Sequence, residues 1–258
     1  MKPLTFFIIF FCFLAFTTLP SFSQTNASAF DRLMQEGLQL EKSLNEKGAF
    51  GKYKDAQALQ PTQLDALYKC SEICSRIGNR EKNTTSRDRY YNSSLAFAKM
   101  ALRYHPQSDQ SNLAMSIALG RIALTKSGKE KIIAVKEIKS YAETAIAINP
   151  SNFKAWHVLG KWNYEVSNLN IFEKAAVKLF YGGLPESSFS AAIKAYEKAA
   201  ALSPYFCLNY LELAKAYKKN GQTDKGINIL KKLIELASYT EDDARIKAEA
   251  GKLLQEWV

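Results

Sequence analysis

The strongest constraint on this chain is a set of four prolines that share one register of small residues. Pro61, Pro106, Pro150 and Pro204 each have an alanine five residues earlier: Ala56, Ala101, Ala145 and Ala199. Eight residues earlier stand Tyr53, Ala98, Ala142 and Tyr196, and twelve earlier Ala49, Ser94, Ile138 and Ala192. The same spacing back from Ser238 meets Leu233, Leu230 and Gly226. Steps of three and four keep these residues on one helical face. Proline cannot continue a helix, so it marks the end of each. A small-residue face lets a second helix approach closely, and the large residues spaced between meet the neighbouring pair.

Each of these helices is preceded by another with its own pattern. Trp156, Leu159, Gly160 and Asn163 define it, and Tyr210, Leu213, Ala214 and Tyr217 repeat it before Gly221. Leu33, Gly37 and Leu40 follow it near the start; Leu67, Ser71, Cys74 and Gly78 follow next, and Leu119-Gly120 carries it in the third unit. Together the two patterns make the Trp-x-x-Leu-Gly-x-x-Tyr, Ala-x-x-x-Phe, Pro signature of the roughly 34-residue tetratricopeptide repeat. One helix pair cannot bury its apolar face alone, but stacked pairs share a continuous core. The expected fold is therefore all-α, a tetratricopeptide-repeat superhelix (an α–α solenoid) over 24–258. Its units are expected at about 30–63, 64–108, 109–152, 153–206 and 207–240, with a capping helix at 241–257 whose first turn holds Glu241, Asp242 and Asp243.

The units differ in length. The fourth carries about twenty extra residues between Asn163 and Ala192. Within them Ile171, Phe172, Ala175, Ala176, Leu179 and Phe180 form an apolar helical stripe. Gly182 and Gly183 can end that helix in the left-handed conformation, and Pro185 enforces the exit. Either the inserted helix packs on the array, or it lids the inner groove and shapes a pocket.

Composition bounds the rest. With 47% hydrophobic residues in 258, the chain can bury a large core, and 12 glycines and 7 prolines leave little room for disordered stretches. Lys2, the apolar run from Leu4 to Phe16, and small residues at Ser21 and Ser23 read as a signal peptide over 1–23. Export to the periplasm or extracellular space is expected; the alternative is a retained N-terminal anchor, the one route to membrane contact through this segment. The net charge of +10 is spread along the chain, denser from Arg76 to Arg89 and Lys126 to Lys139. It reads as a solvated surface, or as attraction to acidic peptides or anionic membranes. Export argues against nucleic acid. Three cysteines after cleavage make no disulfide framework, and Cys70 and Cys74 fall in apolar slots of the repeat.

The run LGKWNYEVSNLNIFEKAAVKLFYGGLPESSFSAAIKAYEKAAAL resembles the repeat core of the regulator of microtubule dynamics family. That core pairs a Leu-Gly-x-Trp-x-Tyr-Glu-Val helix with an inserted helix ending in a Gly-x-Pro turn. ALGRIAL at Ala118–Leu124 and NYLELAKAY at Asn209–Tyr217 resemble its flanking units, so the likeness covers about 64–237. It implies an α-helical repeat fold, protein partners, and for animal members association with microtubules. The leader at the N-terminus departs from that cytosolic setting and points to an exported relative.

Nothing in the sequence calls for catalysis, a metal or a cofactor. His105 and His157 are too few and too separate for a histidine metal site, and phosphate-loop, Cys-x-x-Cys and Gly-x-Ser-x-Gly motifs are missing. The expected role is a non-enzymatic protein-interaction scaffold. The alternatives are a carrier of lipid or a small apolar ligand, and the microtubule regulator that the resemblance implies. The candidate partner-binding residues come from register. Arg121, Lys161 and Lys215 each follow the small residue of the first helix in three consecutive units, which would stack them in a row. Tyr164, Lys218 and His157 lie on the same faces. Such a row suits an acidic protein segment or a free carboxylate, held by charge-assisted hydrogen bonds; the plainer reading is ordinary exposed lysine.

Overall fold

The computed structural model describes residues 22–258; the leader expected over 1–23 lies outside them but for its last two residues. Among the described residues there are twelve helices and no strand. They are α1 (Phe22–Lys42), α2 (Glu46–Leu59), α3 (Leu64–Arg80), α4 (Thr84–Tyr104), α5 (Asp109–Ala123), α6 (Gly128–Ile148), α7 (Phe153–Ser167), α8 (Ile171–Tyr181), α9 (Phe189–Leu202), α10 (Cys207–Lys219), α11 (Thr223–Glu235) and α12 (Asp243–Trp257). Each of the four register prolines stands two residues past a helix end, after Leu59, Tyr104, Ile148 and Leu202. Asn83, Ser108, Asn152 and Ser188 cap the following helices with their side chains, as short polar residues do at orphan N–H groups.

The pairs α1/α2, α3/α4, α5/α6, α7/α9 and α10/α11 pack tightly within themselves, and α12 closes the last pair. The first helices also meet one another: α3 touches α5, α5 touches α7, and α7 touches α10. They form the inner row, and α2, α4, α6, α9 and α11 the outer one. This is the tetratricopeptide-repeat solenoid. Its core is continuous from Tyr68 through Leu113, Ala118 and Ala145 to Trp162.

The register alanines Ala49, Ala56, Ala98, Ala101, Ala142, Ala145, Ala192 and Ala199 are fully buried. Where the register has a tyrosine in place of alanine, the residue facing it is glycine. A Cβ at Gly37 would lie 2.5 Å from the Tyr53 ring, and one at Gly160 would lie 2.7 Å from the Tyr196 ring. The third unit departs from the expected alignment. Gly120 faces open space, and the close approach is made one turn earlier, where buried Ser116 donates from Oγ to the Ile138 carbonyl at 2.8 Å. Ser71 does the same in the second unit, donating to the Ser94 carbonyl at 2.9 Å.

Two further expectations are corrected. Helix α12 begins at Asp243 rather than 241, because Glu241 and Asp242 are drawn away to Arg80 on α3, at 3.0 and 3.1 Å. The inserted α8 neither buries its apolar stripe nor covers the groove. It leans on the outer helix α6, where Lys136 Nζ donates to the Tyr181 carbonyl at 3.0 Å.

Gly160→Ala should lower the unfolding free energy by about 1–3 kcal/mol, since the Tyr196 ring has nowhere to go. Gly120→Ala should raise it by up to about 1 kcal/mol through helix propensity alone. Urea denaturation of the two variants checks both signs.

Candidate functional site

The inner row is built from charge. On α3, Arg76 and Arg80 stand one turn apart. Arg76 reaches Glu41 of α1 at 2.6 Å, Glu46 of α2 at 3.0 Å and Glu72 at 3.5 Å. Arg80 reaches Glu46 at 2.7 Å, and then Glu241 and Asp242 in the turn before α12. The Glu46 backbone N–H also donates to Glu241 Oε1 at 2.5 Å. Residues nearly two hundred apart in sequence therefore meet, and the first two units touch the C-terminal cap. Burial would raise the Glu72 carboxyl, but the Lys154 and Arg76 cations outweigh it and hold the group at about 2. Lys154 of α7 pairs directly with Glu72 and lies over the Tyr68 ring.

The row continues toward the C-terminus. Lys161 pairs with Glu212 at 2.7 Å and Glu165 at 2.8 Å. Lys215 pairs with Glu249 at 2.7 Å and approaches Glu212 at 3.7 Å. Burial would raise the Glu212 carboxyl, yet Lys161 and Lys215 keep it lowered.

Of the six residues expected to form a basic row, the structure brings three together. Lys161 lies over the Tyr164 ring at 5.6 Å, and Lys215 joins through Glu212. Arg121 is not in line with them. It sits twelve residues after the first residue of α5, whereas Lys161 and Lys215 sit eight after the first residues of α7 and α10. One turn out of register, it reaches back to α3, where its Nε donates to Ser75 Oγ and its Nη1 to Asn79 Oδ1, both at 3.0 Å. Lys218 turns away onto the Trp257 ring of α12 at 5.2 Å. The lysines of the row are matched by carboxylates of the same chain, so the row is a ladder of ion pairs rather than an open cationic strip. Glu72, Arg76, Lys154 and Glu212, which carry much of that ladder, were missed by reading around the small residue. Counting from the proline finds its register: eleven residues after each of the four stand Glu72, Ile117, Lys161 and Lys215.

His157 is buried against Tyr196 and Phe206. Asn209 Nδ2 donates to the Tyr196 carbonyl at 2.9 Å, which leaves Asn209 Oδ1 to accept from His157 Nδ1 at 3.1 Å. The neutral ring makes this one hydrogen bond, and burial pushes its pKa down to about 4.

Open space lies elsewhere. A cavity of about 370 Å³ faces the inner side of α1, α3 and α5. Met34, Leu38 and Tyr68 give it an apolar floor, with Asp31, Asp65, Gln110 and the Glu41-paired Lys69 around it. Asp31 and Asp65 are exposed and form no ion pair among the described residues. A second cavity, about 430 Å³, separates α8 from the end of α7, lined by Leu169, Val177 and Leu184 with Lys174, Lys178 and Glu186. Among the described residues no group of His, Cys, Asp or Glu is placed to hold a metal, and no helix is long and apolar enough to cross a membrane.

The fold defines a tetratricopeptide-repeat protein. The family model for Regulator of microtubule dynamics protein 1-3 matches residues 28–257, and the chain belongs to that family. It is 28% identical to Regulator of microtubule dynamics protein 1 of Bos taurus over 162 residues, 62% of this chain and 51% of that protein. It is 23% identical to Regulator of microtubule dynamics protein 3 of Mus musculus over 220 residues, 85% of this chain and 44% of that one. The chain thus spans about half the length of these curated relatives. In fold it is similar to TTC0263, a tetratricopeptide-repeat protein of Thermus thermophilus, with a TM-score of 0.66 at 16% identity over 88% of this chain and 99% of that one.

His157 gives a pH signature. Its folded pKa, about 4, lies below the ordinary 6.5, so the unfolded chain binds the extra proton. Its contribution is complete above pH 6.5 and is lost as pH falls toward 4, by about 3 kcal/mol in all. The Glu72 loss follows at lower pH, between about 4.5 and 2. Denaturation of wild type and His157→Phe from pH 7 to 4 should show the first loss in wild type alone.

Proposed function

We propose that this chain is a protein-interaction scaffold that holds a partner segment in the open, N-terminal half of its inner groove. The observation that carries the reading is the cavity on α1, α3 and α5, an apolar floor edged by Asp31 and Asp65, with the one cation of its lining, Lys69, already paired with Glu41. About 370 Å³ is at the small end of ligand pockets and suits a few side chains of an extended segment. The charge at the rim selects a basic and apolar segment. The C-terminal half favours a different one. At its border Arg121 of α5 is bonded only to neutral oxygens of Ser75 and Asn79 on α3, and an acidic segment could engage it together with Lys161 by displacing Glu212. The polar groups on both cavities speak for a scaffold over an apolar-ligand carrier.

A peptide library displayed on phage distinguishes the two halves. The expected selection is enriched in Lys or Arg beside an apolar residue, and Asp31→Lys with Asp65→Lys should weaken the selected peptides at least tenfold. Acidic peptides lost on Lys161→Glu with Lys215→Glu would move the site to the C-terminal half.

The family's name carries a further reading, regulation of microtubule dynamics, which requires the cytosol; the leader supports export instead. Mass spectrometry of the purified native protein decides between them. A mature N-terminus near Gln24 supports export, and an intact leader opposes it.

A further inference from the structure

We propose that α8 docks the protein on an anionic membrane surface. The helix is capped at both ends by its own segment. Asn170 and Glu173 make a capping box at its start, and Gly182 and Gly183 end it in the left-handed region, at φ 72° and 84°. It is held to the body by its polar side: Lys174 Nζ donates to the Ser167 carbonyl at 3.0 Å, Lys136 Nζ donates to the Tyr181 carbonyl, and Val177 faces the cavity beneath. The opposite side is the apolar one, and it faces water. Ile171 is 76% exposed, Phe172 82%, Leu179 77% and Phe180 72%, with Ala175 and Ala176 exposed between them. A helix that served only to complete the fold would be turned the other way round. Four large apolar side chains along about 16 Å of helix make a continuous patch of the kind that marks an interaction surface.

Its surroundings name the occupant. The neighbouring segment 124–136 adds exposed Leu124 and Ile133 and carries Lys126, Lys129, Lys131 and Lys136 against Glu130. On α6, Lys129, Ile133 and Lys136 are spaced four and three apart, so they share the side on which α8 lies. Helix α8 adds Lys174 and Lys178 against Glu173. Six lysines against two glutamates leave a local charge of +4. Leucine and phenylalanine on one face with lysine beside it is the composition of a helix lying in a lipid interface, with anionic headgroups meeting the cations. A second copy is disfavoured, because a two-fold contact through this face would bring two such cationic clusters together.

Hydrogen exchange of the full chain tests this. The probes are vesicles of phosphatidylcholine with about 30% phosphatidylserine, and vesicles of phosphatidylcholine alone. Amides of residues 171–181 should exchange at least tenfold more slowly with the anionic vesicles and be little changed with the neutral ones. Phe172→Asp with Phe180→Asp should abolish the slowing without altering far-ultraviolet circular dichroism or the denaturation midpoint. Unchanged exchange at 171–181 would overturn the proposal, whatever the N-terminal segment does on the vesicle. So would slowing that needs no lipid, grows with protein concentration and disappears in the double variant, which would make the face a contact between copies.

Discussion

Two arginines one turn apart on α3 hold the structure to its shape. Arg76 and Arg80 gather Glu41, Glu46, Glu72, Glu241 and Asp242, from α1, α2, α3 and the turn before α12. Desolvating a charge costs several kcal/mol unless its partners are complete. Glu46 and Glu72 are buried, so their charges are tolerable only while the arginines stand where they do. That requirement fixes the approach of the first two units to the cap, which repeat packing alone leaves free, since each repeat otherwise meets only its neighbours. An array that would remain open at both ends is tied across its inner face.

The tie shapes what the groove can do. A row of lysines on an inner face invites an acidic partner, but Lys154, Lys161 and Lys215 are already matched by Glu72, Glu212 and Glu249. A partner there must replace an existing carboxylate, and the gain is the difference between two similar pairs. At α1 and α3 nothing need be displaced, and two free carboxylates face open space. Surface chemistry is divided in the same way. Along α3, α7 and α10 the inner lysines and arginines are matched within the chain, while unmatched lysines gather outside beside the apolar face of α8.

Much of the fold was legible. Pro61, Pro106, Pro150 and Pro204 punctuate the chain because no helix passes through them, and the alanines before them pack because nothing larger fits. The inserted helix was legible from its stripe and its two glycines. Its orientation was not, since a periodic apolar face reports that a helix is amphipathic and not which way it is turned. Lys136 and Lys174, which fix the polar side inward, are ordinary lysines in sequence. The site was less legible for a similar reason. Taking Gly120 as the small residue of the third unit shifted Arg121 by one turn, although Ser116 holds that place through its hydroxyl. The partnership of Arg80 with Glu241 and Asp242 spans about 160 residues and leaves no local trace, so those acids looked like a helix cap.

The tie between α3 and the turn before α12 is tested most directly by a double-mutant cycle on Arg80 and Asp242. Unfolding free energies of wild type, Arg80→Ala, Asp242→Ala and the double variant give the coupling between the two side chains. A tie across the groove predicts a coupling above about 1 kcal/mol at physiological salt, beyond the range of exposed pairs. Additive effects of the two substitutions would mean that the ends of the array do not meet in solution, and would contradict it.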